Sequence, residues 1–162
     1  MLREPDMEEL ASEETERFPV DDPVVKRLLG GANLARLAYV GLDGRPRVVP
    51  IWFAYADGDF LMVTGPRAEK VRALQANGAV ALTIDSQKPP YDVLLVNGEA
   101  TLDPTEGMAA EYPSIVERFL GEAAEGYLLG MRGRVKRQVR IRVRPLSWRV
   151  LDFRQRFPKS LR

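Results

Sequence analysis

The most constraining stretch of the chain is Val139-Arg-Ile-Arg-Val-Arg144, where β-branched residues at 139, 141 and 143 alternate with Arg140, Arg142 and Arg144 before Pro145. A period of two puts neighbouring side chains on opposite faces of a strand, so one face meets a core and the other carries a row of guanidinium groups. A strand with one wet face belongs to an antiparallel sheet, since parallel sheets are covered on both sides. The arginine row reads either as a solvated outer face or as an anion-binding strip. No β-α-β-α rhythm and no Gly-x-Gly-x-x-Gly occur, which argues against a Rossmann fold.

Other segments repeat the strand signal. Residues 45–85 read as strand, tight turn, strand, short helix, strand, with the turn at Asp57-Gly58-Asp59. Residues 33–40 form an earlier strand, and Gly41-Leu42-Asp43-Gly44 is a hairpin signal leading to the strand of Val48, Val49, Ile51 and Phe53. Pro50 interrupts that strand; lacking an N–H, it marks a sheet edge or a bulge, where nearby backbone groups are free to meet something else. Val80, Leu82 and Ile84 alternate as a half-buried strand, Val93–Val96 is apolar on both faces and therefore central, and Gly98 suggests a bulge. Asp21-Asp22-Pro23 caps a short helix over 24–29 that Gly30-Gly31 stops. A second helix is expected over 66–77, with Pro66 at its first position and Gly78 as a left-handed terminator. Arg67 and Lys70 would then share one face of its first turn. Cations there oppose the helix dipole unless an anion arrives, so Thr64, Arg67, Lys70 and the free N–H groups are a candidate phosphate site, against an ordinary solvated face. Residues 105–130 read as a helical region broken at Pro113, Gly121 and Gly126, with Ile115, Val116, Phe119 and Leu120 spaced to cover an open barrel side.

Composition narrows the chemistry. The 162 residues contain no cysteine and no histidine. Thiol nucleophiles, thiolate metal sites, Ser-His-Asp catalysis and the usual haem ligand are therefore excluded. Carboxylates, Lys, Tyr or a cofactor must do any chemistry, and a cofactor brings its own reactive atoms. Net charge is +1, yet residues 1–22 hold nine acids against two bases while residues 132–162 hold twelve bases against one acid. The organisation expected is an acidic tail over 1–20, one domain over 21–153 and a basic tail over 154–162. Trp148, Phe153 and Phe157, near or within that tail, read as dimer-packing aromatics. No apolar run reaches a membrane span and the acidic start is no secretory signal, so a cytoplasmic protein is expected.

The segments Gly41-Leu-Asp-Gly-Arg-Pro-Arg-Val-Val-Pro-Ile-Trp-Phe53, Thr64, Arg67-x-x-Lys70 and Asn77-Gly-Ala-Val-Ala-Leu82 resemble the pyridoxamine 5′-phosphate oxidase-related flavin-binding split barrels, which include FMN proteins and F420-dependent reductases. The resemblance spans about Asp21 to Phe153. It implies a mainly β, antiparallel Greek-key split barrel with helical cover, paired as a homodimer with a cofactor at each of two intersubunit sites. It also implies FMN, or alternatively F420, with Val48, Val49, Pro50 and Ile51 lining the ring through backbone groups. Thr64, Arg67 and Lys70 would hold the phosphate, and Trp148, or another aromatic of the C-terminal segment, would reach the site from the partner subunit. The C-terminal Arg-x-His substrate grip of true pyridoxamine phosphate oxidases is missing, so vitamin B6 oxidation is not expected. The arginine row at 140, 142 and 144 could serve the polyglutamate tail of F420.

The function this points to is hydride transfer between a flavin and a small organic substrate or nicotinamide donor, with no metal. No catalytic residue can be assigned; Tyr91 is a possible proton donor but reads more naturally as a packing or surface tyrosine. Two other classes compete. One is a flavin carrier or sensor without turnover. The other, disfavoured by the near-neutral charge, is a nucleic-acid-binding barrel using the arginine row and Trp148.

Overall fold

The computed structural model describes residues 17–154 and 159–161. Along the chain these form α1 (Pro23–Gly30), β1 (Ala35–Val40), β2 (Pro46–Ile51), β3 (Ala54–Ala56), β4 (Asp59–Thr64), α2 (Glu69–Ala76), β5 (Ala79–Asp85), β6 (Asp92–Glu106), α3 (Tyr112–Leu120), α4 (Ala124–Met131) and β7 (Arg137–Asp152). The acidic segment up to residue 16 and Phe157 lie outside the described residues. Among the described residues no helix is long and apolar enough to cross a membrane.

Among the described residues seven strands make one sheet in the order β2-β1-β5-β6-β7-β4-β3, every ladder antiparallel. Strands β2 and β3 stand at opposite ends of that order, yet only Trp52 and Phe53 separate them in sequence. Three peptide steps reach about 11 Å at most. The sheet must therefore curl until its two edges nearly meet, which makes a barrel split at the β2–β3 seam. Inside it, Leu37, Phe53, Phe60, Met62, Leu82, Ile84, Leu94 and Ile141 are almost wholly excluded from water.

The local rules explain most elements. Asp22 caps α1 by accepting from the Val24 and Val25 amides at 2.7 and 3.3 Å. Asp57 and Gly58 both take positive φ, as a two-residue hairpin between β3 and β4 requires. Pro50 lies on an edge strand, opposite Arg36 of β1. The long β6 is central, between β5 and β7, and Val139, Ile141 and Val143 of β7 face the core.

Several expectations are corrected. The helix after β4 does not begin at Pro66: a turn closed by the Ala68 amide on the Gly65 carbonyl (3.1 Å) precedes it, and the helix proper runs Glu69–Ala76. Arg67 thus sits in the turn and shares no helix face with Lys70. Gly78 is not a left-handed terminator, since Asn77 ends the helix in an extended conformation. Its glycine is required by crowding: a Cβ there would lie 2.7 Å from the Ala100 carbonyl oxygen, whose own amide donates to the Gly78 carbonyl. The strand from Pro46 ends at Ile51, leaving Phe53 in the seam crossing. Helix does not start at Thr105, because β6 extends to Glu106 in register with β7. Pro113 opens α3 rather than breaking it, and Gly126 lies within α4. Finally β7 continues past Pro145, because Leu146 is an extra residue opposite the Asn97–Gly98 step and absorbs the interruption as a bulge.

Candidate functional site

Two adjoining depressions open where β2 and β4 end, beside the seam. The first, about 400 Å³, is lined by Pro50, Ile51 and Trp52 at the end of β2, Val63 of β4, and Tyr112 and Tyr127 of the covering helices. The second, about 660 Å³, runs between Thr64-Gly65-Pro66 on one side and Arg134, Lys136 and Arg137 on the other. Val63 and Tyr112 line both, so they form one cleft with an apolar aromatic end and a cationic end.

The aromatic end is built by packing. Trp52 stacks on Phe119 at 5.3 Å and 13°, and meets Tyr127 edge-on at 6.3 Å. The Tyr112 and Tyr127 hydroxyls are 3.0 Å apart. Burial, and then the neighbouring Tyr127 hydroxyl, push the Tyr112 phenol well above the ordinary tyrosine range. Tyr112 accordingly keeps its proton and can only act as a neutral hydrogen-bonding group at neutral pH. Helix α3, which carries Tyr112 and Ile115, is bolted to the barrel by Arg118. Its guanidinium donates from Nε to the Gly31 carbonyl at 2.7 Å and from Nη1 to the Phe53 carbonyl at 3.1 Å, and lies 4.6 Å from the Phe53 ring. Burial holds the Arg118 pKa below the ordinary arginine value.

At the cationic end Arg137 is tied to Glu106 at 2.9 Å, whereas Arg134 and Lys136 have no carboxylate partner among the described residues. Arg67 is exposed and Lys70 half-buried, also without such a partner among the described residues. Neither lines the cleft; they flank it beyond the Gly65-Pro66 turn. The contact of Arg47 with Glu69 at 3.7 Å ties β2 to the first turn of α2, so the Val48–Ile51 strand and Lys70 do lie on neighbouring elements. Ala68 offers no side-chain cap, which leaves the first amides of α2 without one.

Of the residues read from sequence, Pro50, Ile51 and Thr64 line the cleft; Val48 and Pro50 point outward from the edge strand, Val48 being 65% exposed, while Val49 and Ile51 pack toward the core. Among the described residues strand β2 pairs with β1 alone, so its other backbone edge faces no ladder there. Trp148 is elsewhere in the chain, against Phe18 at 5.4 Å and on a separate cavity. The arginine row is largely neutralised. Arg140 bonds Glu111 at 2.7 Å through Nη2, and Arg142 reaches Asp59 at 3.1 Å and Asp103 at 3.7 Å. Only Arg144 of the three has no carboxylate partner among the described residues. Sequence reading missed Tyr112, Tyr127, Arg134 and Lys136; the basic run after Arg132 was their one visible trace.

Comparison with known proteins agrees with this architecture. The pyridoxamine 5′-phosphate oxidase family matches residues 22–151. Among solved structures, an F420 reductase is 26% identical over 76% of this chain and 94% of its own, with a TM-score of 0.60. A conserved hypothetical protein from Mycobacterium tuberculosis is 19% identical over 85% of this chain and 88% of its own (TM-score 0.64). A FAD-binding protein from Mesorhizobium loti is 18% identical over 76% and 86% (TM-score 0.51). No curated protein matches. With a split barrel of seven antiparallel strands and a family match over most of its length, the chain belongs to the pyridoxamine 5′-phosphate oxidase family.

Proposed function

We propose that the protein is an oxidoreductase that holds FMN in this cleft, between two copies of the chain, and passes a hydride between the flavin and a small organic substrate or a nicotinamide donor. The observation that carries this reading is the pairing of an aromatic slot (Trp52, Tyr112, Tyr127) with cations that have no carboxylate partner among the described residues (Arg134, Lys136), in one cleft at the barrel seam. A molecule with a planar ring and a phosphate matches both ends. When bound, the flavin supplies the hydride-exchanging atom. The chain's own residues do the rest. Pro50, Ile51 and Trp52 exclude water from the ring, and unladdered β2 backbone groups orient it. Thr64, the α2 amides, Arg67 and Lys70 hold the phosphate from one side, and Arg134 and Lys136 from the other. Tyr112, kept protonated, offers a hydrogen bond to a reacting carbonyl. A second copy would cover the outward face of β2, where Val48 stands exposed, and could bring Trp148 toward the ring.

F420 in place of FMN is a second reading, favoured by the 26% identity to an F420 reductase. Titrating the purified protein with FMN and with F420, and following the bound spectrum, tests both. Arg67→Ala/Lys70→Ala should weaken the preferred cofactor by about two to four orders of magnitude, from two charge-assisted bonds at roughly 1.5–3 kcal/mol each. Unchanged affinity in a folded double variant removes that phosphate assignment, and no saturable binding of either cofactor removes the function. Bound cofactor with no turnover on any nicotinamide or artificial acceptor would leave a carrier.

A further inference from the structure

A hollow of about 450 Å³ lies between α1, β3 and α3, walled by Val20 ahead of α1, Lys26 and Leu29 on it, Ala54 of β3, and Ile115 and Arg118 of α3. Neither tryptophan lines it, and with the cofactor cleft it shares Ile115 alone, a buried residue that stands between the two as a partition. We propose that this hollow is a binding site for a small aliphatic monocarboxylate.

The hollow has the size of a small-molecule site. Its lining is aliphatic: Val20 and Leu29 pack on the core yet stay half-buried, and Ala54 and Ile115 complete the wall. Arg118 supplies the polar anchor. Of its five N–H donors, Nε and Nη2 serve the Gly31 and Leu28 carbonyls and one Nη1 N–H serves Phe53, so the second Nη1 N–H has no acceptor among the described residues. Those partners are neutral dipoles. No carboxylate meets this half-buried cation among the described residues, and burial lowers its pKa, as expected of a charge short of a counterion. Lys26 stands on the same hollow, 3.3 Å from Asp21 in a pair whose side chains are both largely exposed. Such a pair contributes little, so the ammonium can turn onto a ligand. Asp21 offsets Lys26 in charge, which leaves the Arg118 cation to be matched by one carboxylate, with the aliphatic walls taking an apolar body.

The probe is octanoate, titrated calorimetrically into the full-length protein, with octanamide as its uncharged counterpart. The expected result is saturable binding, one octanoate per chain, with a rise in Tm because the ligand binds the folded form. Octanamide should bind about tenfold more weakly or worse, having lost its charge-assisted bonds. Lys26→Glu should weaken octanoate by a similar factor, about tenfold or more. Gly30 also lines the hollow and has open space where a Cβ would stand, so Gly30→Leu should fill the hollow and abolish binding. Both variants are at exposed positions and should retain the parent's circular dichroism. FMN and F420 should leave octanoate in place, so this site and the cofactor reading stand or fall separately. Absence of saturable binding, equal affinity for octanamide, indifference to either variant, or displacement by either cofactor would overturn the proposal.

Discussion

Replacing Arg118 by Met tests the claim that one side chain fastens the helical cover to the barrel. The wild-type guanidinium serves two carbonyls at close range, Gly31 from Nε at 2.7 Å and Nη2 at 2.5 Å and Phe53 from Nη1 at 3.1 Å, and makes a marginal contact with the Leu28 carbonyl at 3.4 Å. Counted as one charge-assisted bond per carbonyl, at the lower end of the range, these contribute about 3 kcal/mol together. The cation over Phe53, with its centre 4.6 Å from the ring, adds about 1 kcal/mol. Relief of the guanidinium's desolvation, whose sign is the lowered pKa, offsets part of this. The net loss is about 3 kcal/mol, or roughly 6–12 °C in Tm for a chain of this size. Urea unfolding gives the free energy and a thermal scan the shift. Arg118→Lys, with the charge kept but a single ammonium to serve separated acceptors, should fall about halfway. If Arg118→Met unfolds within about 1 kcal/mol of wild type, the carbonyls of Gly31 and Phe53 are satisfied equally well by water and the fastening argument fails.

Three further outcomes follow from packing and charge. Gly78→Ala should destabilise by about 1–3 kcal/mol, because the added Cβ meets a backbone carbonyl, whereas Gly126→Ala, with open space around it inside α4, should stabilise by about 0.5–1 kcal/mol; paired urea curves reveal the opposite signs. Asp92 is buried and accepts from Arg27 at 2.7 Å and Arg154 at 2.8 Å, so Asp92→Asn, leaving two cations facing a neutral amide, should cost about 2–3 kcal/mol by chemical denaturation. The bond from Arg140 holds the Glu111 carboxyl below its ordinary 4.5. A depressed folded pKa means the stabilisation is complete above about pH 4.5 and vanishes as the pH falls through the lower folded value. Glu111→Gln should therefore lower Tm at pH 6–8 but converge on wild type in acid, and a gap that stays constant down to pH 3 would contradict the assignment.

The parts of this molecule that were readable from sequence are those governed by near neighbours. Alternation at 139–143 and at 80–84 marks strands because the pleat is local, and Pro50 marks an edge because its missing donor is local too. Gly78 shows the limit. A glycine after a helix looks like a terminator, yet this one exists because β6 passes 2.7 Å from where its Cβ would be. Arg67 fell outside the helix because Gly65 and Ala68 close a turn first, and Pro66 suits that turn as well as it suits a helix start. The arginines of β7 look alike in sequence, but Glu111, Asp59 and Asp103 neutralise two of them from distant segments. Half of the cleft was hidden for the same reason: Tyr112 and Tyr127 are 15 residues apart, and only the fold of α3 onto α4 joins their hydroxyls.

The crossing at Trp52 and Phe53 has a mechanical corollary. The outermost strands are held at one another's side by three peptide bonds and, among the described residues, no ladder, so this gap is where the sheet can spread with least loss. Anything wedged beside Trp52 would act as a clasp between the first and last strands. Occupancy should then register as slower amide exchange along β2 and β3, distant in the sheet order, before it registers anywhere in the middle of the sheet.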